Sequence, residues 1–177
     1  MEEAWGDAGL TTKRLEVQNR FYHRLRSHAA YRSVEETPVV DVTFESLRGH
    51  KYGLLVTFKR SGEGVPTPIW FGLDEAGRLY VRTGREVAKV RRIRNNPRVR
   101  VAPCTVRGKP LGPPIEGTAR VLGPEEETHA EASLRSNYGL GRRFYESVGD
   151  AVGGVNAVYL EVVPAAKRSA VGEQGAA

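Results

Sequence analysis

Leu79 and Val81 fall on one face of an extended chain and Tyr80 and Arg82 on the other, the period of two of a half-buried strand. At Thr83-Gly84 the period changes. Val87, Val90 and Ile93 recur every three residues and line one stripe of a short helix. Asn95-Asn96-Pro97 stops that helix, because proline cannot continue it. RVRVAPC returns to alternation, with Val99 and Val101 inward and Arg98 and Arg100 outward. Residues 78–101 therefore read as strand, tight turn, short basic helix, strand.

The same reading extends along the chain. Asp41 or Thr43 can cap a short helix carrying Phe44 and Leu47 that ends near Gly49. YGLLVTFKR is a β-rich run, Ser61-Gly62-Glu63-Gly64 a turn, and VPTPIWFGL the returning strand. Pro66 and Pro68 lack donors at alternate positions, so one side of that strand is an edge or faces a ligand. RGKPLGPP is a rigid loop and IEGTARVL a strand. Gly123-Pro124 followed by three glutamates starts a helix, with Ala130, Leu134 and Tyr138 on one face and Gly139 at its end. Leu140, Phe144 and Val148 repeat the spacing in a second short helix, and NAVYLEVV is the last strand. Antiparallel neighbours dominate and strand-helix-strand units do not repeat, so a Rossmann sheet gives way to a closed six-stranded barrel with helices outside.

Composition narrows the setting. One domain is expected from 177 residues, with residues 1–36 as an N-terminal extension, 37–164 as the barrel and 165–177 as a disordered tail. From Leu10 to Arg32 the extension holds six Lys and Arg against one Glu; its Phe21, Tyr22 and Leu25 are expected to pack on the barrel or a second subunit. No apolar run is long enough to span a membrane, the acidic start lacks a signal-peptide core, and Cys104 is the single cysteine, so a cytoplasmic protein is expected.

Charge changes the picture more. Residues 82–109 carry ten Lys and Arg against Glu86 alone, in a chain of net charge +6; without them the remainder would be −3. A local excess implies a local anionic partner. A hydroxyl at a strand end (Thr83), free amides at a helix start and a lysine one turn in (Lys89) make an anion site. Set against it are no GxSxG, HExxH, CxxC or Walker pattern and no metal-like histidine spacing; Cys104 reads as core. An anion site without acid–base or nucleophilic residues suggests a cofactor that brings its own reactivity.

VPTPIW after a hairpin, LYVRT ending a strand and AKVRRIRNNPRV after it, within residues 53–163, resemble the PPOX-class, F420-dependent oxidoreductases of the flavin/deazaflavin family, relatives of the pyridoxamine 5′-phosphate oxidase split barrel. The resemblance implies a mainly β, PNPOx-like FMN-binding fold: a six-stranded antiparallel split β-barrel with flanking helices, working as a homodimer with cofactor sites at the interface. It implies that Lys89 and Thr83 hold the cofactor phosphate, with Arg82 and Arg92 beside them for phosphate or an acidic tail. Thr57, Thr67, Pro68, Ile69 and Trp70 match the hairpin lying along the ring system, and Lys59 completes the cofactor-binding set. The cofactor would be F420, with FMN the alternative, and the reaction hydride transfer to a small conjugated organic acceptor. Haem-binding relatives of the fold come third, since no histidine is evident as an axial ligand. From a different class comes a basic nucleic-acid-binding module; against it, aromatics are only 8% and scarcely interleave with the arginines.

Overall fold

The computed structural model describes residues 26–39, 43–138 and 156–165. A 3-10 turn, His28–Tyr31, leads into helix α1, Arg32–Glu35; a second 3-10 turn, Phe44–Leu47, is capped by Thr43, whose hydroxyl accepts from the Glu45 amide. Then come β1 (Tyr52–Phe58), β2 (Gly64–Trp70), β3 (Gly72–Leu73) and β4 (Leu79–Gly84). Helix α2 (Ala88–Asn95), β5 (Arg98–Pro103) and β6 (Ile115–Val121) follow. A 3-10 turn, Pro124–Glu126, opens helix α3 (Glu127–Tyr138), and β7 (Ala157–Pro164) is the last strand. Asp41, the expected helix at 140–148, Phe21, Tyr22, Leu25 and the tail from 166 lie outside the described residues. Among those described, no helix is long and apolar enough to cross a membrane.

All strands join one antiparallel sheet in the order β2-β1-β5-β6-β7-β4-β3. Its two end strands, β2 and β3, are separated in the chain by Phe71 alone, so the sheet has to curl until its edges approach. That corner corrects the expectation of six strands to seven. The pattern of VPTPIWFGL predicts one strand, but Trp70 is the last residue paired with β1, opposite Tyr52, and Gly72 the first paired with β4, opposite Tyr80. A strand that leaves one neighbour and joins another at the far edge must break its ladder, and the fully buried Phe71 occupies the break. At Gly72 a Cβ would run into the Ser133 backbone, which is how closely α3 approaches β3.

The alternation predicted at 79–82 is the division between two cores. Leu79 and Val81 point into the barrel with Leu55, Phe71, Val99, Val101 and Leu160. Tyr80 points outward, to a layer of Leu122, Ala130, Leu134 and Tyr159 beneath α3. The stripe on α2 enters the barrel core, with Val90 and Ile93 buried and Val87 packed beside them. Each such side chain contributes about 1.5–3 kcal/mol when fully buried. A third, smaller cluster joins Ala30 to Leu54 and Cys104 on the outside of β1.

A candidate anion-binding site

Two regions concentrate charge. The first lies under α3. Glu161, 6% exposed, accepts from Arg120 Nε at 2.6 Å and lies 3.5 Å from Arg78 Nη1. The Tyr80 hydroxyl stands 3.2 Å from Asp74 and 3.3 Å from Glu161, so its single proton serves one carboxylate at a time. Burial first, then those two carboxylates, push the Tyr80 pKa up to about 12. Burial raises the pKa of Asp74, but the Arg78 amide, His129 and Tyr80 outweigh it and hold that carboxyl below its usual range. Arg120 also forms a forked pair with Glu126. A cavity of about 260 Å³ opens here, lined by Arg78, Tyr80, Leu122, Glu126, His129 and Glu161. The charges around it already satisfy one another, so this region needs no ligand.

The second region is built from β1, α2 and the N-terminal segment, and its charges have one sign. On α2, beside the stripe that buries Val90 and Ile93, Lys89 and Arg92 are half-buried. Arg92 Nε donates to Thr57 Oγ1 at 2.7 Å, and Thr57 is buried in β1. Lys89 keeps some contact with solvent, yet burial, then the neighbouring Arg92 and Arg26 charges, pushes its pKa down to about 8. Burial is also the first cause lowering the pKa of Arg92, followed by Arg26 and Arg91. Arg26 is hydrogen-bonded to the Tyr31 side chain and brings two further buried donors, Nε and Nη1, without a partner among the described residues. Among the described residues no carboxylate pairs with any of the three cations. No side chain caps the start of α2, and the Val87 amide donates to Gly84 O, so one tight turn joins the end of β4 to the helix.

The ten residues singled out by sequence are therefore not one cluster. Thr57, Lys89 and Arg92 come together, and buried Thr83 is next to last on the strand that leads to them, opposite Val158. Arg82 is half-buried on the same strand, opposite Tyr159. Thr67 and Pro68 lie half-buried on β2, which pairs with β1 alone; the ladder runs unbroken across Pro66 and Pro68, so the missing donors belong to its open side. The Ile69 side chain is in the barrel core, and Trp70 stands edge-on to Tyr52 with ring centroids 5.5 Å apart. Lys59 sits at the β1–β2 turn, where its ammonium pairs with Glu63 at 2.7 Å. Arg26 was missed, because in the sequence it is one of six cations in a basic extension. Cys104 is buried, and burial pushes its thiol up to about 12, in keeping with a core role.

The profile of one protein family, described as pyridoxamine 5′-phosphate oxidase, matches residues 39–150. No curated protein matches the chain. A protein from Bacteroides thetaiotaomicron, provisionally described as a 5-nitroimidazole antibiotic resistance protein, superposes with a TM-score of 0.52 at 15% identity over 73% of this chain and 83% of its own. The heme storage protein HutZ from Vibrio cholerae gives 0.51 at 15% identity over 70% and 87%. A protein described as an F420 reductase gives 0.46 at 20% identity over 72% and 97%. At these identities the first two establish a shared fold.

Proposed function

Because the chain belongs to the pyridoxamine 5′-phosphate oxidase family, we propose that it is an oxidoreductase that binds the deazaflavin coenzyme F420 through this anion site. Bound in reduced form, the coenzyme would supply a hydride to a small conjugated organic acceptor. The chain's own residues bind and orient. Lys89 and Arg92 take the phosphate, Thr57 fixes the Arg92 guanidinium, and Thr83 and Arg82 flank them. On the donor-free side of β2, half-buried Thr67 and Pro68 would lie along the planar ring. The working unit in this reading is a homodimer with the site at the subunit interface.

The observation that carries the reading is the group of Arg26, Lys89 and Arg92, sunk into the fold with no acid among them. Buried like charges destabilise the free protein and are repaid when an anion arrives. A nucleic-acid surface would instead keep its cations in water, where phosphates of any sequence can reach them. FMN remains the second reading, since its phosphate suits the same residues. Surplus cations favour F420, whose glutamate tail adds carboxylates. The test is to incubate the purified protein with F420, FMN or a short DNA duplex, remove the unbound material and record the absorbance spectrum or a salt-dependent mobility shift. Retention of the deazaflavin chromophore is expected. Retention of FMN alone, or of DNA alone, would overturn the F420 reading.

A further inference from the structure

Residues 26–36 hold to the barrel at several points. The Ser27 amide donates to Arg107 O at 2.7 Å. Ala30 is fully buried against Leu54 and Cys104. Val34 lies so close to β2 that a Cβ on Gly64 would strike it, and Arg100 Nη1 donates to Val34 O at 2.6 Å and Glu36 O at 3.0 Å. At the head of this docked segment is Arg26, whose Nε and Nη1 are shut off from water and bonded to nothing among the described residues. A guanidinium presents five donors in a fixed fork and cannot shed its proton, so two orphaned donors are a large uncompensated cost. The Tyr31 hydroxyl takes up part of the fork, but it carries no charge and leaves those two donors open. A segment that spends several contacts to hold such a cation next to two others is arranged for an anion.

We propose that Arg26 is a third binding residue of the site, delivered by the N-terminal segment, which grips the ligand's phosphate together with Lys89 and Arg92 so that ligand binding and docking of residues 26–36 are a single coupled event. This deepens the cofactor reading above and rests on it. Three cations exceed what one phosphodiester monoanion neutralises. The ligand class is therefore a phosphomonoester dianion, or a phosphodiester with carboxylates close by.

Inorganic phosphate is the probe for the site, and F420 and FMN separate the two ligand classes. Melting temperature is followed in phosphate against chloride at matched ionic strength, and docking by chymotryptic cleavage at Tyr31, which is 46% exposed. In the wild-type protein phosphate should raise the melting temperature and slow that cleavage. Arg26→Met keeps the aliphatic stem and removes the charge. It should melt at or above the wild-type temperature without ligand, since a buried cation is relieved, yet bind phosphate and its preferred cofactor about tenfold or more weakly. Arg26→Lys, which keeps charge but loses the fork, should fall between. A merely structural arginine would do the reverse, lowering the ligand-free melting temperature and leaving affinity intact. If Arg26→Met binds as tightly as wild type while Lys89→Met is weakened, the third residue is refuted and the Lys89 anchor stands. If neither weakens binding, the anion site itself is refuted. Absence of any phosphate effect on the wild type would equally overturn the proposal.

Discussion

Under α3, Glu161 gathers Arg120, Arg78 and Tyr80, and Asp74 gathers His129 and the Arg78 amide; beside α2, Arg26, Lys89 and Arg92 gather one another and two hydroxyls, those of Thr57 and Tyr31, with no carboxylate among the described residues. Both regions pack charge onto the same sheet, and a cavity of about 260 Å³ opens at the first. Where acids and bases saturate each other the charges serve the fold, tying β4, β6 and β7 to α3. Where like charges are held together against their own repulsion, stability has been given up, and that pattern marks function more often than structure.

The sharpest break in this contrast is at Glu161. Glu161→Ala leaves Arg120, Arg78 and Tyr80 without their shared acceptor. It should lower stability by about 2–3 kcal/mol, less than the loss of a fully buried pair because both arginines keep half their surface in water. Denaturant unfolding measures that loss, and cofactor affinity should stay at the wild-type value. Lys89→Ala inverts the pattern. Affinity should weaken about tenfold or more, as expected from a charge-assisted bond worth about 1.5–3 kcal/mol, while the ligand-free melting temperature holds or rises. Unchanged affinity in that variant would remove Lys89 as the anchor.

Much of this is legible in the amino-acid sequence. Period two at 79–82 and period three at 87–93 located the strand, the helix and the turn between them, since burial on one face forces those spacings. The break at Phe71 was not readable: a ladder that switches partners leaves the local pattern of VPTPIWFGL unchanged. Lys89 and Arg92 were found because charge clusters visibly in 82–109. Arg26 and Glu161 were not, for opposite reasons. Arg26 hides among the other cations of the extension, and Glu161 interrupts an apolar strand, a lone buried acid whose partners come from β4 and β6, 41 and more residues away. Pairing across the sheet is long-range information that periodicity does not hold.

A subtler separation comes from pH. Lys89 has its pKa lowered from 10.5 to about 8 in the ligand-free fold, so below pH 8 the folded and unfolded chains are both protonated and the penalty of the buried charge is fully present. Between about pH 8 and 10.5 the folded state releases its proton first. The unfolded state then binds more protons, and stability should rise with pH across that window. Anion affinity should run the other way, flat below pH 8 and falling by up to about tenfold per unit above it, because a neutral lysine must first be recharged. Lys89→Met should erase both slopes, as melting curves and titrations from pH 6 to 10 would read.

One titration weighs the cation group most directly: F420 species of increasing glutamate tail length, and FMN, measured by equilibrium binding to the wild-type protein at low and high salt. If Arg26, Lys89 and Arg92 are kept unpaired for an anionic cofactor, F420 should bind more tightly than FMN, affinity should climb with each added carboxylate, and salt should weaken every complex. FMN binding equally well, with no response to tail length or to salt, would contradict it.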